Sequence, residues 1–225
     1  MLSDDGVVVL EFIPFSCDPG EFLREIHLPQ QIDISEDAVR FLERAQPLLR
    51  PKALYRECYI DGRDREGVVI EGVKLSSPSL SLLLAQVEKV FPYLATGGGE
   101  ADRALVDDDP LHRYWIETLK EMALRRAIEE VKSRIESRRA LEELSSISPG
   151  AADSDVWPLE QQIPLFSLFE GAQNRIGVAL TPSCLMVPNK SVSGLFFPSK
   201  TSFQSCQLCR RENCPRRRAP YRGSV

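Results

Sequence analysis

The residues best suited to chemistry lie near the end of the chain. In SCQLCRRENCPRRR, Cys206, Cys209 and Cys214 follow a Cys-x2-Cys-x4-Cys spacing. Two thiolates two residues apart can reach one ion from a tight turn, which suits a tetrahedral metal. Three local cysteines leave one position open, and Cys184 is the natural fourth ligand. Cys184, Cys206, Cys209 and Cys214 are therefore the candidate set for zinc or an iron–sulfur cluster. The adjacent arginines favour thiolates and an anionic cluster. Unliganded thiols or a redox disulfide fit the same spacing. A full zinc finger does not, because there is one Cys-x2-Cys pair and neither His27 nor His112 is near it in sequence.

Three other segments could hold a ligand. Ser148-Pro149-Gly150 is a turn that lets a ligand approach the backbone. TPSCLMVPNKSVSG (Thr181 to Gly194) is a polar, sulfur-containing loop between prolines, and such loops either carry function or tie their hydroxyls to their own backbone. Gly97-Gly98-Gly99 after a strand is either a phosphate or cofactor cradle or a flexible strand-to-helix loop. It lacks the Lys-Ser/Thr of a P-loop and the spacing of a dinucleotide fingerprint. No GxSxG or HExxH is present, so a hydrolase has no support.

Composition places these segments in a globular protein. The chain has 225 residues, 43% of them hydrophobic and 27% charged, enough for a sizeable core. The most apolar run, Leu80 to Val87, is too short to span a bilayer. The opening MLSDDGVVVLEF carries acids where a signal peptide carries bases, so a cytoplasmic protein with six reduced cysteines is expected. The net charge of -5 hides an asymmetry: Arg210, Arg211, Arg216, Arg217, Arg218 and Arg222 face one acid, Glu212, in the tail. Such a tail is either a solvated end or a dock for an acidic partner. It is also the sole support for nucleic-acid binding, which the acidic body and the lack of interleaved aromatics disfavour.

The elements that must position these residues are mixed. Val7 to Phe12 reads as a strand, Pro19 to Ile26 as a short helix, and Ile34 to Leu49 as a helix capped by Ser35. Ala53 to Ile60 and Gly67 to Leu75 read as a hairpin turning at Asp61-Gly62. A helix over Ser76 to Val90 starts at Ser77-Pro78, and Val90 to Thr96 is a buried strand. Asp109-Pro110 opens a long helix to about Leu144. Leu111, Trp115, Leu119, Met122, Ile128, Val131 and Ile135 line its core face, and Glu117, Lys120, Arg126, Glu130 and Lys132 its solvated face. Ser145 to Gly150 is a loop, Trp157-Pro158 starts a helix that Pro164 bends, and Val178 to Thr181 and Ser191 to Phe197 are extended. The pattern predicts an α+β fold, with a domain over 1–197 and a Cys/Arg-rich tail over 198–225.

The order SPG…WPLEQQ…LF…IGVALTPSCLMVPNKSVSGLFF resembles the activation domain of vitamin B12-dependent methionine synthase, in its separately encoded form. FLREIHLPQQIDISEDAVRFLERAQPLLRPKALYRECYI, KVFPYLATGGGEADRA and DDDPLHRYWIETLKEMALRRAIEEV extend the resemblance over most of residues 20–197. It implies a single activation-domain fold, with a twisted, mainly antiparallel sheet flanked by helices. It implies an accessory role in reductive methylation of a corrinoid, a component of a methyltransferase rather than a complete enzyme. One electron, from a donor such as a flavodoxin or ferredoxin, and one methyl from S-adenosylmethionine restore a cobalamin supplied by methionine synthase or another corrinoid protein. The candidate cofactor-binding residues are Ser148, Pro149, Gly150, Ala151, Lys190 and Ser191. The family's carboxylate-binding arginine and its tyrosine fall at Ser146 and Ala151, and serine cannot replace a guanidinium fork. A family glutamate on the long helix falls near Arg125 or Glu129, and Arg125, Arg126 or Arg139 could supply a replacement cation. S-adenosylmethionine binding is therefore expected to be weak or absent. The alternative is an iron–sulfur or zinc redox partner of a corrinoid protein that does not bind S-adenosylmethionine.

Overall fold

The structure is a computed structural model that describes residues 6–27, 32–105, 109–139, 143–153, 155–199, 203–214 and 217–223. Arg216, counted above among the tail arginines, lies outside them, as does the expected helical stretch 140–142.

The fold is organised on one strand. KVFPYLAT forms β6 (Lys89–Thr96), buried from Val90 to Thr96. Along one edge it pairs antiparallel with β2 (Lys52–Arg56) and then β3 (Cys58–Asp64), and along the other with β10 (Ser191–Pro198). β1 (Val7–Leu10) extends the β2 side, and β7 (Leu144–Ile147) the β10 side. β4 (Gly67–Ile70) and β5 (Val73–Ser76) continue from β3, giving an eight-stranded sheet whose pairings are antiparallel. A separate hairpin joins β8 (Ala179–Leu180) to β9 (Met186–Val187).

The period-2 alternation of strands gives this sheet two apolar faces. Tyr55, Phe91, Tyr93 and Phe196 face Ala127, Val131 and Ile135 of the long helix α5 (Pro110–Arg139). Val7, Val9, Leu54 and Leu94 face Phe166 of α6 (Gln162–Ser167), with Phe169, Ile176 and Val178 beyond it. The first half of α5 packs Trp115 and Leu119 against Phe22 of α1 (Pro19–Glu25) and Phe41 of α2 (Ile32–Ala45). Asp109 caps α5, its carboxylate accepting the Leu111 N–H at 2.8 Å. Ser77 caps α3 (Pro78–Leu83) in the same way, through the Leu80 N–H.

Several expectations are corrected. Ser35 lies inside α2, which starts at Ile32. Asp61-Gly62 is a register shift within β3, not the hairpin turn. Gly67 to Leu75 is two strands, because Glu71 and Gly72 both take positive φ (48° and 78°) and reverse the chain. The helix from Pro78 stops at Leu83. Ser145 to Ile147, expected in a loop, belongs to β7. On α5, Leu111 is 37% exposed rather than core, while Lys120, assigned to the solvated face, is 1% exposed.

Described residues beyond Pro198 pack against the body. Leu208 is buried beside Ile147, Val156, Trp157 and Phe197, with Phe203 packed on the same cluster. The Phe203 N–H donates to Ser145 Oγ at 3.0 Å, and the Arg210 guanidinium pairs with Asp153 and Asp155. The acids that Arg210 meets are thus in the same chain. Leu208→Ala is expected to lower stability by about 2–4 kcal/mol, read by urea unfolding; a change below about 0.5 kcal/mol would mean that the tail is only loosely laid on the body.

Candidate functional site

β6 ends in the glycine run, and each glycine there meets backbone or ring atoms. A Cβ on Gly97 would sit 2.4 Å from the Lys120 carbonyl oxygen of α5, and one on Gly98 2.6 Å from the Arg50 carbonyl oxygen. Gly99 faces the Pro188 ring at 3.1 Å. The N–H groups are also used: Gly97 donates to the Lys190 carbonyl at 2.9 Å, Gly98 to Thr96 Oγ1 at 3.1 Å and Gly99 to Glu100 at 3.0 Å. A phosphate cradle needs converging unpaired N–H groups. These are satisfied internally, so the run is neither a cradle nor a free loop but a close-packed junction.

A charge network surrounds that junction. The buried Lys120 ammonium donates to Asp102 (2.7 Å), Glu117 (2.7 Å) and Asn189 (3.1 Å). Lys190 Nζ lies 3.6 Å from both Glu117 and Glu121, and Ser191 donates to Thr96 at 2.9 Å. Burial works against the Lys120 charge, but the bonds to Asp102 and Glu117 outweigh it and raise the pKa. Burial likewise penalises the Glu117 carboxylate, and Lys120 and Asn189 reverse the effect, holding its pKa below the ordinary value. Glu117 and Glu121 thus both face the loop before β10, whereas Arg125 and Glu129 line a separate surface depression with Phe15 and Ser16. Lys120 follows Ile116 by four residues and precedes Ala123 by three, so it shares their buried face.

The second candidate loop follows β7. Pro149 and Gly150, the latter at φ 72°, form a turn with the signature of type II, closed by the Ala151 N–H donating to the Ser148 carbonyl at 3.2 Å. The Gly150 N–H donates to Trp157 O at 2.9 Å. The Ser148 side chain hydrogen-bonds Tyr93, whose phenol pKa is pushed up by burial against the opposing effects of that bond and of Arg218. Gly194 of β10 lets this turn close in: a Cβ there would meet Ile147 O and Ser148 Oγ at 2.6 Å. The structure thus puts Lys190 and Ser191 at the glycine junction, and Ser148, Pro149, Gly150 and Ala151 at a turn beside the middle of β10. Ser146 sits in β7 opposite Phe196 and Ala151 is exposed. The cations weighed as replacements are engaged: Arg125 with Glu25, Arg126 with Glu130 and Arg139 with Glu57.

WPLEQQ is a structural tie. Gln161 accepts the Ser76 N–H at 2.6 Å, while buried Gln162 donates to the Cys184 carbonyl and accepts from Ser193. Cys184 itself closes the β8–β9 hairpin at φ 60°. Among the described residues no group of three or more His, Cys, Asp or Glu could hold a metal ion. The expected ligand set of Cys184, Cys206, Cys209 and Cys214 is therefore not assembled: Cys184 is buried in its hairpin, and the tail cysteines are organised by Arg217. Its guanidinium donates to the carbonyls of Cys206, Cys209, Arg211 and Ala219.

This site and sheet define an α+β protein whose candidate loops are tied to a central antiparallel strand. No protein-family model matches the chain, and no curated protein matches it. Among solved structures it is similar to the one described as the crystal structure of the MetH reactivation domain bound to AdoHcy. The TM-score is 0.59 at 15% sequence identity, over 90% of this chain and 82% of that chain. The chain has the fold of that domain, as the resemblance implied.

The network makes a pH prediction. The Glu117 contribution to stability is present above the ordinary value of 4.5 and is lost as pH falls through its lower folded value. The Lys120 contribution is present below 10.5 and is lost as pH rises through its higher folded value. Lys120→Met is expected to cost about 1–3 kcal/mol at neutral pH and to blunt both losses in urea unfolding. Wild-type stability in that variant would mean that the ammonium is not bound as described.

Proposed function

We propose that this chain is an accessory protein for reductive methylation of the corrinoid of cobalamin-dependent methionine synthase or a related methyltransferase. The observation that carries the reading is the fold shared with the MetH reactivation domain across 90% of the chain. The cobalamin belongs to the partner, on which the electron and the methyl group meet; this chain supplies the surface that holds the partner in a reactive arrangement. No described helix is long and apolar enough to cross a membrane, which is compatible with a diffusible partner.

The ligand half of the reading is narrower. The described neighbour is bound to AdoHcy. Here the residues do not fit a ligand carboxylate well: Ser146 stands at the arginine position, Ser148 is engaged with Tyr93, and Lys190 faces two glutamates. We therefore take S-adenosylmethionine to bind weakly, or to be completed by the partner. The alternative, a zinc or iron–sulfur redox partner, draws no support from the arrangement of the cysteines.

The test is turnover. A cobalamin-loaded methionine synthase lacking its own activation domain should regain activity when this protein, S-adenosylmethionine and a reduced flavodoxin or ferredoxin are added. No recovery with folded protein would overturn the role. Calorimetry on the isolated chain should show no micromolar S-adenosylmethionine binding, and its detection would overturn the weak-binding part alone.

A further inference from the structure

The corrinoid reading leaves the tail thiols unused, yet the chain positions them with care. Ser205–Leu208 is a single 3-10 turn, closed by the Cys209 N–H donating to Cys206 O at 3.3 Å. A turn closed i to i+3 brings its end Cα atoms within about 7 Å, and a disulfide spans roughly 4.4–6.8 Å. Arg217 clamps both ends, donating to Cys206 O and Cys209 O at 3.1 Å each. Leu208, buried between them, anchors the turn to the core, while both thiols stay partly exposed. The Arg218 N–H points at Cys206 Sγ at 3.5 Å, the kind of donor that stabilises a thiolate.

We propose that the Cys206–Cys209 turn is a dithiol site that reduces disulfides carrying carboxylates. The Cys206 thiolate attacks one sulfur of R–S–S–R, forming a Cys206–S–S–R bond and releasing RS⁻. Cys209 gives its proton to water, and its thiolate attacks Cys206 Sγ, forming the internal disulfide and releasing a second RS⁻. Two electrons pass from the dithiol to the substrate, whose two thiolates leave and take protons from water. The charge preference comes from Arg211, Arg218 and Arg222, exposed beside the turn and opposed within the tail by Glu212 alone, whereas Arg210 is held by Asp153 and Asp155. Such a field speeds encounter with anions and is screened by salt.

The experiment uses the reduced full-length chain with two probes, glutathione disulfide and neutral hydroxyethyl disulfide. Products are followed by mass spectrometry, and folding of each variant is checked by circular dichroism. The wild type should form the Cys206–Cys209 disulfide, faster with glutathione disulfide at low salt, with the difference shrinking as salt rises. Cys209→Ser should stop at a mixed disulfide on Cys206. Cys206→Ser should react at least about tenfold more slowly, and Cys214→Ser at the wild-type rate. Equal rates for folded Cys206→Ser and wild type, or a preference for the neutral probe, would overturn the proposal. So would a stoichiometric zinc or iron in anaerobically purified protein that shields all three tail thiols. None of these outcomes bears on corrinoid reactivation, so the two readings fail separately.

Discussion

The contact on which the rest depends is the close approach of β6 to α5 at the glycine run. A strand that ends in ordinary residues could not bring Gly97 against the Lys120 carbonyl or Gly98 against the Arg50 carbonyl without moving the helix. Because the approach is made at backbone level, it also fixes where Lys120 lies, and from there the Asp102, Glu117 and Asn189 bonds. Those bonds hold the segment that leads into β10, and β10 in turn pairs with both β6 and β7. Through β7 the constraint reaches the Pro149-Gly150 turn and the tail that docks on Ser145 and Ser146.

Much of this was legible in the sequence where the signal is local. Val90 to Thr96 is a continuous apolar run, and Ser77-Pro78 and Asp109-Pro110 are start signals that depend on neighbouring residues alone. The boundaries that failed depend on tertiary pairing. Asp61-Gly62 has turn chemistry but lies in β3, because the hairpin turns farther along and the extra residue is absorbed as a register shift. Ser145 to Ile147 has little strand character alone and becomes a strand because β10 offers it a partner. Lys120 was misplaced because a lysine beside an apolar stripe reads as solvated unless its carboxylate partners, one of them eighteen positions away in Asp102, are known.

The candidate site shows a similar division. The residues that carry the resemblance are real landmarks, but the structure gives many of them packing duties. Gln161 and Gln162 tie separate segments together, Gly194 admits the Ser148 turn, and Lys190 offers its carbonyl to Gly97. Such residues mark a fold that can persist while the ligand contacts around it change, which is consistent with Ser146 and Ala151 at the positions where the resemblance implied arginine and tyrosine. The cysteine spacing was plain in the sequence; what could not be read there was that Arg217 would organise the tail turn and that Cys184 would be held apart in its own hairpin.

The glycine run is a buried packing junction and not an anion cradle. Native-state hydrogen exchange of the Gly97, Gly98 and Gly99 amides, with and without inorganic phosphate, tests it most directly. The Gly97 and Gly98 amides are expected to exchange only with global unfolding, and phosphate to leave all three rates unchanged. Exchange of Gly97 and Gly98 at the rate of an open loop, or added protection by phosphate, would contradict it.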